Sequence, residues 1–393
     1  MERVVVVGGG VLGTMHALAA RRRGHDVVHL ELEPAPRGAS MRNFGLIWVS
    51  GRAPGPELEL AQRARALWEE IAALVPGTGF RASPSLTLAT DDAELSLLTE
   101  AASLPDAGAR GYELLGPDGC RAVNGELRGE LTGGLLGGRD AVVEPRLVLG
   151  AVRGYLASAG PRYVWLPGRQ AVELAAHAVR DHTGAWHSGD LVVLCPGAAH
   201  TGIAGPHLAC FARPPVRRVR LQMMQTAPFP GRLATSVADG DSLRYYPAYD
   251  LPGRSRLGPQ SAVAAGTRAQ LLLVQRLDGT LTIGDTHEYD EPFAFDVDED
   301  AYDHLRERAQ TLLGTTLPRV QRRWAGVYSM VTGNALYHRS EAAPGVVLVT
   351  GPGGRGMTCA PAIAEETFAG AGLPRPPAPA AAGPSSAGES RWA

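Results

Sequence analysis

Lysine is absent: among 393 residues, all 38 basic side chains are arginine. Any mechanism that needs a lysine Schiff base, or a lysine reaching into a phosphate loop, is excluded. Pyridoxal enzymes, class I aldolases and Walker-type nucleotide hydrolases fall together. An excess of charge is also missing, since 38 Arg face 40 Asp and Glu for a net charge of -2; this leaves no electrostatic footprint for nucleic acid or an anionic membrane. Cysteine is scarce. Cys120, Cys195, Cys210 and Cys359 show no C-x-x-C spacing and no clustered histidine, which predicts reduced thiols and neither a metal site nor a disulfide framework. No apolar run reaches the roughly 18 residues a membrane span needs, and Val4 to Val7 is too short for a secretory core, so a soluble, cytoplasmic protein is expected. What is plentiful is apolar side chain, 45% of the chain, enough for two or three domains or one large α/β unit.

The opening reads as a strand-turn-helix-strand unit. Val4-Val5-Val6-Val7 forms a buried strand, Gly8-Gly9-Gly10-Val11-Leu12-Gly13 a turn, and a helix then runs to Arg23, where Gly24 stops it. Asp26 to Leu30 makes the second strand, ending at Glu31, an acid 23 positions after Gly8. The glycines follow G-x-G-x-x-G, and in this context they mark a dinucleotide site. Gly8 permits the tight turn, Gly10 lets a pyrophosphate approach the backbone, and Gly13 lets helix pack on strand, while the helix N-terminus offers N–H donors. Glu31 would accept from an adenosine ribose and repel a 2'-phosphate, which favours FAD or NAD over NADP.

Downstream, Leu60, Ala64, Leu67, Ile71 and Leu74 recur at spacings of 4, 3, 4 and 3, predicting an amphipathic helix over about 57–74, and a second is expected over about 300–313. Short β-like runs dominate the middle: 85–90, 191–194, 221–226, 271–275, 280–284 and 346–350. The Pro/Ala/Gly/Ser-rich end, 371–393, predicts a disordered tail with no catalytic role.

Four further blocks occur in a fixed order: Gly38-Ala39-Ser40-Met41-Arg42-Asn43-Phe44-Gly45, Val143-Glu144-Pro145-Arg146, Leu191 to Ala198 with its Cys195-Pro196-Gly197 turn, and Gly351-Pro352-Gly353-Gly354-Arg355-Gly356-Met357-Thr358 opening a helix. With the Rossmann start, this pattern over roughly residues 1–370 resembles the D-amino-acid oxidase-like FAD-dependent oxidoreductases. Within that family, Arg42-Asn43-Phe44-Gly45-Leu46-Ile47-Trp48, Leu221-Gln222-Met223-Met224, Leu243 to Tyr249 and Ile283 to Tyr289 are similar to a subgroup whose genes often accompany phosphonate-degradation genes.

The resemblance implies an α/β fold, with a Rossmann-type FAD-binding domain (1–80, 145–205 and 320–370) interleaved with a second α+β substrate domain (81–144 and 206–319). It implies FAD oxidation of a small amine, an aminophosphonate such as 2-aminoethylphosphonate or its N-methyl form. Hydride leaves the carbon next to nitrogen for flavin N5, giving imine and then aldehyde plus amine, with O2 the expected electron acceptor of an oxidase and the dehydrogenase alternative left open. By the family pattern Gly8, Gly10, Gly13, Glu31, Ser40, Arg42, Asn43, Phe44, Gly197, Gly353, Gly354, Arg355, Gly356, Met357 and Thr358 hold the cofactor. Such chemistry needs charge stabilisation near flavin N1 and C2=O, which the helix start near Met357 supplies with backbone donors and Arg355 would supply as a cation. Arg42 has a structural ion pair as its alternative reading, and Phe44 and Trp48 read as flavin shields, substrate wall or core.

One departure from the wider family concerns substrate. Relatives acting on α-amino acids carry a carboxylate-binding arginine shortly after W-x-G, but here Trp324-Ala325-Gly326 leads to Val327-Tyr328-Ser329. The substrate set expected instead is Arg244, Tyr246, Tyr249, His287, Tyr328, His338 and Arg339, supplemented by Tyr245, Tyr289 and Tyr337. Arg244 and Tyr246 are expected to share one face of a strand. His287, Arg355 and Trp48 are the catalytic candidates, His287 as a base for an ammonium proton. Cys359 is a conceivable covalent flavin link but reads better as a buried thiol. Three alternatives stay open: oxidation of an α-amino or N-methyl amino acid, a flavin monooxygenase suggested by Gly284-Asp285, and a non-catalytic flavin binder.

Overall fold

The computed structural model describes residues 2–372; the segment 373–393, read as a tail, lies outside them. The chain opens with β1 (Arg3–Val7), α1 (Val11–Arg22) and β2 (Asp26–Glu31), and a long helix, α2 (Pro56–Leu74), follows. β1 is all β-branched from Val4 to Val7 and lies in the middle of a six-stranded sheet, parallel to β2 on one side and to Leu191–Leu194 on the other. Side chains alternate across the pleat. Val4 and Val6 face a core built with α1, α2, Pro145–Ser158 and the C-terminal helix Gly356–Gly370, whereas Val5 and Val7 face a core under the three-stranded Ala171–Ser188 ribbon. Both faces of the parallel sheet are thus covered, as parallel sheets require.

The second sheet has eight strands in the order Val320–Val331, Val216–Pro228, Thr280–Gly284, Leu272–Gln275, Ser236–Ala238, Ser85–Ala89, Gly133–Gly137 and Tyr112–Leu115. Helix Glu299–Leu313 packs on one face through Tyr302, Leu305, Ala309 and Leu312. The opposite face, carrying Leu221, Met223, Leu272 and Tyr328, closes over Phe44, Trp48 and Tyr246. The site lies between this face and the ends of β1 and β2.

Two expectations need correcting. Residues 320–331 were expected in the dinucleotide-binding unit, yet they pair antiparallel with Val216–Pro228 along its length, from Val216 opposite Val331 to Thr226 opposite Val320. The chain rejoins the six-stranded sheet only at His338–Ala343. Arg244 and Tyr246 were expected on a strand, but Ser242–Tyr245 is a single helical turn between Asp241 and Pro247. In a turn of about 100° per residue, positions two apart diverge. Arg244 turns outward to the Gly258 carbonyl and Asp241, and Tyr246 turns inward.

Candidate active site

The glycine turn is held by steric demand. Gly8 has φ +107°, and a Cβ there would meet the Cys195 carbonyl oxygen at 2.2 Å; a Cβ on Gly13 would meet the Gly8 oxygen at 1.8 Å. Only glycine allows this approach of α1 to β1. Behind the turn, buried His29 contacts Gly8 O at 2.9 Å through Nε2 and the Tyr163 hydroxyl at 3.0 Å through Nδ1, and burial lowers its pKa to about 3. In front, Ser40 Oγ accepts from Val11 N–H at 2.9 Å, and Glu31 Oε2 accepts from Gly9 N–H at 2.5 Å.

The segment 38–45 is shaped by Asn43, whose Nδ2 donates to Ala39 O and Ser40 O and whose Oδ1 accepts from Gly45 N–H at 2.7 Å. It is pinned from the other sheet by Arg276, which gives Nε to Thr282 Oγ1 at 2.8 Å, Nη1 to Phe44 O at 2.6 Å and Nη2 to Asn43 O at 3.0 Å. Burial pulls the Arg276 pKa down to about 10. Arg42 donates to Ala325 O rather than to an acid. At the far end, Gly353–Arg355 is a tight turn opening the C-terminal helix; Arg355 pairs with Glu57 at 3.1 Å and donates to Leu336 O.

These parts enclose one cavity of about 770 Å³. Gly8, Gly10, Gly13, Glu31, Ser40, Arg42, Asn43 and Phe44 line its first half, with Gly197. Gly353, Gly354, Arg355, Gly356 and Met357 line the region beside the C-terminal helix. Trp48, Tyr246, His287 and Tyr328 line the rest.

Six expected residues fall outside this lining: Arg244, Tyr249, Tyr337, His338, Arg339 and Thr358. Thr358 Oγ1 instead accepts from Trp48 N–H and donates to Leu46 O, tying the Leu46–Ile47 strand to the helix. Arg244 points to Gly258, and Tyr249 is fully buried with its hydroxyl on Thr87. His338 and Arg339 lie on the antiparallel edge strand of the six-stranded sheet, against Phe211 and Tyr337. Cys359 is buried in the C-terminal helix, where desolvation lifts its thiol to about 11. Among the described residues no cluster of acids, histidines or cysteines is arranged to hold a metal, and no helix is long and apolar enough to cross a membrane.

The inner wall is aromatic. Trp48 stacks on Tyr246 at 5.1 Å, Tyr245 meets Tyr246 edge-on, and the His287 ring stacks on Tyr245 at 4.1 Å. Set in this wall is Asp285, 6% exposed, with Oδ1 taking Gln270 Nε2 at 3.3 Å and Oδ2 lying 3.9 Å from His287 Nε2. Burial raises the Asp285 pKa, and His287 counteracts it; burial also holds the Tyr245, Tyr246 and Tyr328 phenols neutral. Gln270 Oε1 is buried without a hydrogen-bond partner among the described residues. Arg52 adds a buried cation to the lining, donating Nε to Trp48 O and facing Glu57 at 3.7 Å. Sequence reasoning missed Gln270, Arg52, Glu57 and Arg276, which carry no motif of their own. Asp285 had been weighed only as part of a Gly-Asp pair.

A dinucleotide fits this arrangement on the chain's own terms. The turn leaves the start of α1 open where any side chain at Gly8 would collide, a carboxylate stands at the end of β2, and the cavity continues to a second helix start. These features define a dinucleotide-dependent oxidoreductase. The chain belongs to the FAD dependent oxidoreductase family (DAO), whose model matches residues 3–369, and FAD is its cofactor. Solved structures with the same fold include glycine oxidase from Geobacillus kaustophilus (20% identity, TM-score 0.72, 93% of each chain covered). L-Proline dehydrogenase from P. horikoshii is similar over 94% of this chain and 93% of its own (17%, TM-score 0.76). Iminodiacetate oxidase from Chelativorans sp. BNC1 is similar over 95% and 96% (18%, TM-score 0.73). No curated protein matches the chain.

Proposed function

We propose that this flavoenzyme oxidises a small amine at the carbon next to nitrogen, and that the amine carries a phosphonate, as in 2-aminoethylphosphonate or its N-methyl form. The observation that carries the amine is the pair of acceptors in the aromatic wall, the Asp285 carboxylate and the unpartnered Gln270 Oε1, which call for an N–H donor. Bound FAD supplies the hydride acceptor. The residues do the rest: Asp285 and Gln270 orient the nitrogen, and His287, 3.9 Å from Asp285, takes the ammonium proton so that the amine reacts in its neutral form. Trp48, Tyr245 and Tyr246 keep water from the reacting carbon. In the cofactor half, backbone donors at α1 and Ser40 hold the pyrophosphate, Glu31 the ribose, and the turn at 353–356 the flavin ring, with Arg355 adding charge.

The phosphonate is supported by the absent arginine after Trp324-Ala325-Gly326. Oxidation of an α-amino or N-methyl amino acid is the second reading, favoured by the buried Arg52 in the cavity wall, which suits a carboxylate as well. Solved structures of this fold bear the names glycine oxidase, iminodiacetate oxidase and L-proline dehydrogenase. O2 is the proposed acceptor of the electrons. Gly284-Asp285 sits in the eight-stranded sheet among tyrosines, an environment that suits an amine anchor better than the Gly-Asp pair of a monooxygenase.

Anaerobic mixing of the purified yellow protein with each amine tests the reading. The expected result is flavin bleaching at least about tenfold faster with 2-aminoethylphosphonate or its N-methyl form than with glycine or sarcosine. Fastest bleaching by an α-amino acid establishes the second reading, and bleaching by no amine overturns both.

A further inference from the structure

Arg52 lines the cavity from a buried position, 5% exposed, and its guanidinium is only partly hydrogen-bonded. Nε donates to Trp48 O at 2.8 Å and Nη2 to Thr358 Oγ1 at 3.4 Å, which fixes the plane of the fork, while Nη1 makes no hydrogen bond among the described residues. The acid facing it is Glu57, whose Oε1 stands 3.7 Å away and already accepts from Arg355 Nε at 3.1 Å. Glu365 and Glu366 of the C-terminal helix are taken by Arg23 and Arg63. Two guanidinium groups thus share one carboxylate, which leaves one unmatched positive charge in the wall. Burying such a charge costs desolvation, and an entering oxyanion offsets that cost. The backbone beneath is pinned, because fully buried Arg110 donates to Ser50 O and Arg52 O at 2.6 Å each. The stacked pair Trp48 and Tyr246 links this cation to the amine acceptors: Arg52 holds the Trp48 carbonyl, and the Tyr246 hydroxyl receives Gln270 Nε2 at 3.4 Å, beside Asp285. Burial dominates the Tyr245 and Tyr246 phenols, Asp285 raises them further and Arg52 opposes the rise, so cation and acid reach the same two rings.

We propose that Arg52 is the specificity-determining cation of the substrate site. Its Nη1 edge takes the oxyanion of an amine whose nitrogen reaches Asp285 across the Trp48–Tyr246 stack, and Glu57, by dividing its charge between Arg52 and Arg355, sets how tightly that oxyanion is held. The substrate rests on the amine reading, whereas the anion affinity is measurable without turnover. Arg52 thereby supplies the cation that is missing after Trp324-Ala325-Gly326.

The test compares the FAD-loaded wild type with R52Q, E57Q and the double variant. Substrates are 2-aminoethylphosphonate, its carboxylate analogue β-alanine, and n-propylamine, which has no anionic group; methylphosphonate and acetate binding is measured by calorimetry. For R52Q we expect kcat/KM for the better anionic amine, relative to n-propylamine, to fall about ten- to hundredfold through KM, since a charge-assisted contact at a buried site is lost. E57Q keeps an acceptor for Arg355 and removes the competing charge, so it should act in the opposite sense and tighten binding of the better-held anion about two- to tenfold, a signature that damage to the fold does not produce. In the double variant that gain should vanish. The larger loss in R52Q, with 2-aminoethylphosphonate or with β-alanine, identifies which oxyanion Arg52 serves. A relative kcat/KM within about twofold of wild type in R52Q, or a gain from E57Q that persists in the double variant, overturns the role of Arg52 while leaving amine oxidation intact. Should R52Q lose its flavin, E57Q decides alone: tighter anion binding than in wild type upholds the proposal, and no tightening overturns it. If no amine reduces the flavin but R52Q weakens and E57Q strengthens anion binding, the anion site stands and the amine reading fails.

Discussion

Replacing Asp285 with asparagine separates a functional carboxylate from a structural one, because the two roles predict opposite changes in stability. The native carboxylate is buried and receives one long amide contact from Gln270, with His287 at 3.9 Å from its other oxygen. Its pKa is raised, chiefly by desolvation. For a carboxyl group with a raised folded pKa, the native state binds more protons than the unfolded chain between the two values, so the ionised form weakens the fold as pH rises through that window. Removing the charge should therefore stabilise the substrate-free protein by roughly 1–2 kcal/mol at pH 7, a rise in Tm of about 1–4 °C at this size. The same change removes a charge-assisted bond to the amine, worth about 1.5–3 kcal/mol, or roughly 10- to 150-fold in amine affinity. The assay pairs calorimetric Tm with the concentration dependence of anaerobic flavin reduction. A lower Tm, or half-saturation within about twofold of wild type, refutes the assignment of Asp285 to the substrate nitrogen.

Three further outcomes follow from the same contacts. Gly13→Ala forces a Cβ toward the Gly8 oxygen at 1.8 Å, so α1 must shift by far more than the few tenths of an ångström a packed core yields; the purified variant should be colourless, and normal flavin absorbance per chain would refute the cradle. Arg276→Met strands the Asn43 and Phe44 carbonyls, costing about 3 kcal/mol or more, and should weaken FAD retention by at least about tenfold; flavin retention equal to wild type in dialysis counts against the pinning of segment 38–45. Buried His16 and His29 have pKa values lowered to about 4 and about 3, against about 6.5 when unfolded. As pH falls below 6.5 the unfolded chain takes protons that the native histidines refuse. Stability should drop by up to about 1.4 kcal/mol per pH unit for each, measured by urea unfolding from pH 7 to 4.5, and His29→Gln should reduce that slope.

Local chemistry was legible wherever a residue answers to its immediate neighbours. The Val4–Val7 run, the three glycines, the arrest at Gly24 and the acid at Glu31 all act within one crossover, and their elements appear within a residue or two of the expected bounds. The same holds for Pro56–Leu74 and Glu299–Leu313, whose apolar spacing alone specifies a helix and a buried face. The turn at 242–245 was misjudged because two aromatic residues beside an arginine look β-like, and only the packing of Leu243 and Tyr246 against the eight-stranded sheet shows the helical turn.

The chain by itself thus determined the dinucleotide crossover, the exclusion of lysine chemistry and the family pattern, since these depend on short-range sterics and residue inventory. Only the tertiary structure decided which polar groups meet. Gln270 and Asp285 are brought together by pairing across two strands, Arg52 and Arg276 are aimed by burial, and Val320–Val331 changes sheets because its edge finds Val216–Pro228. The Gln270–Asp285 and Arg276–Phe44 contacts join residues 15 and 232 positions apart, and their energies come from desolvation and strand pairing, which no local spacing in the sequence encodes.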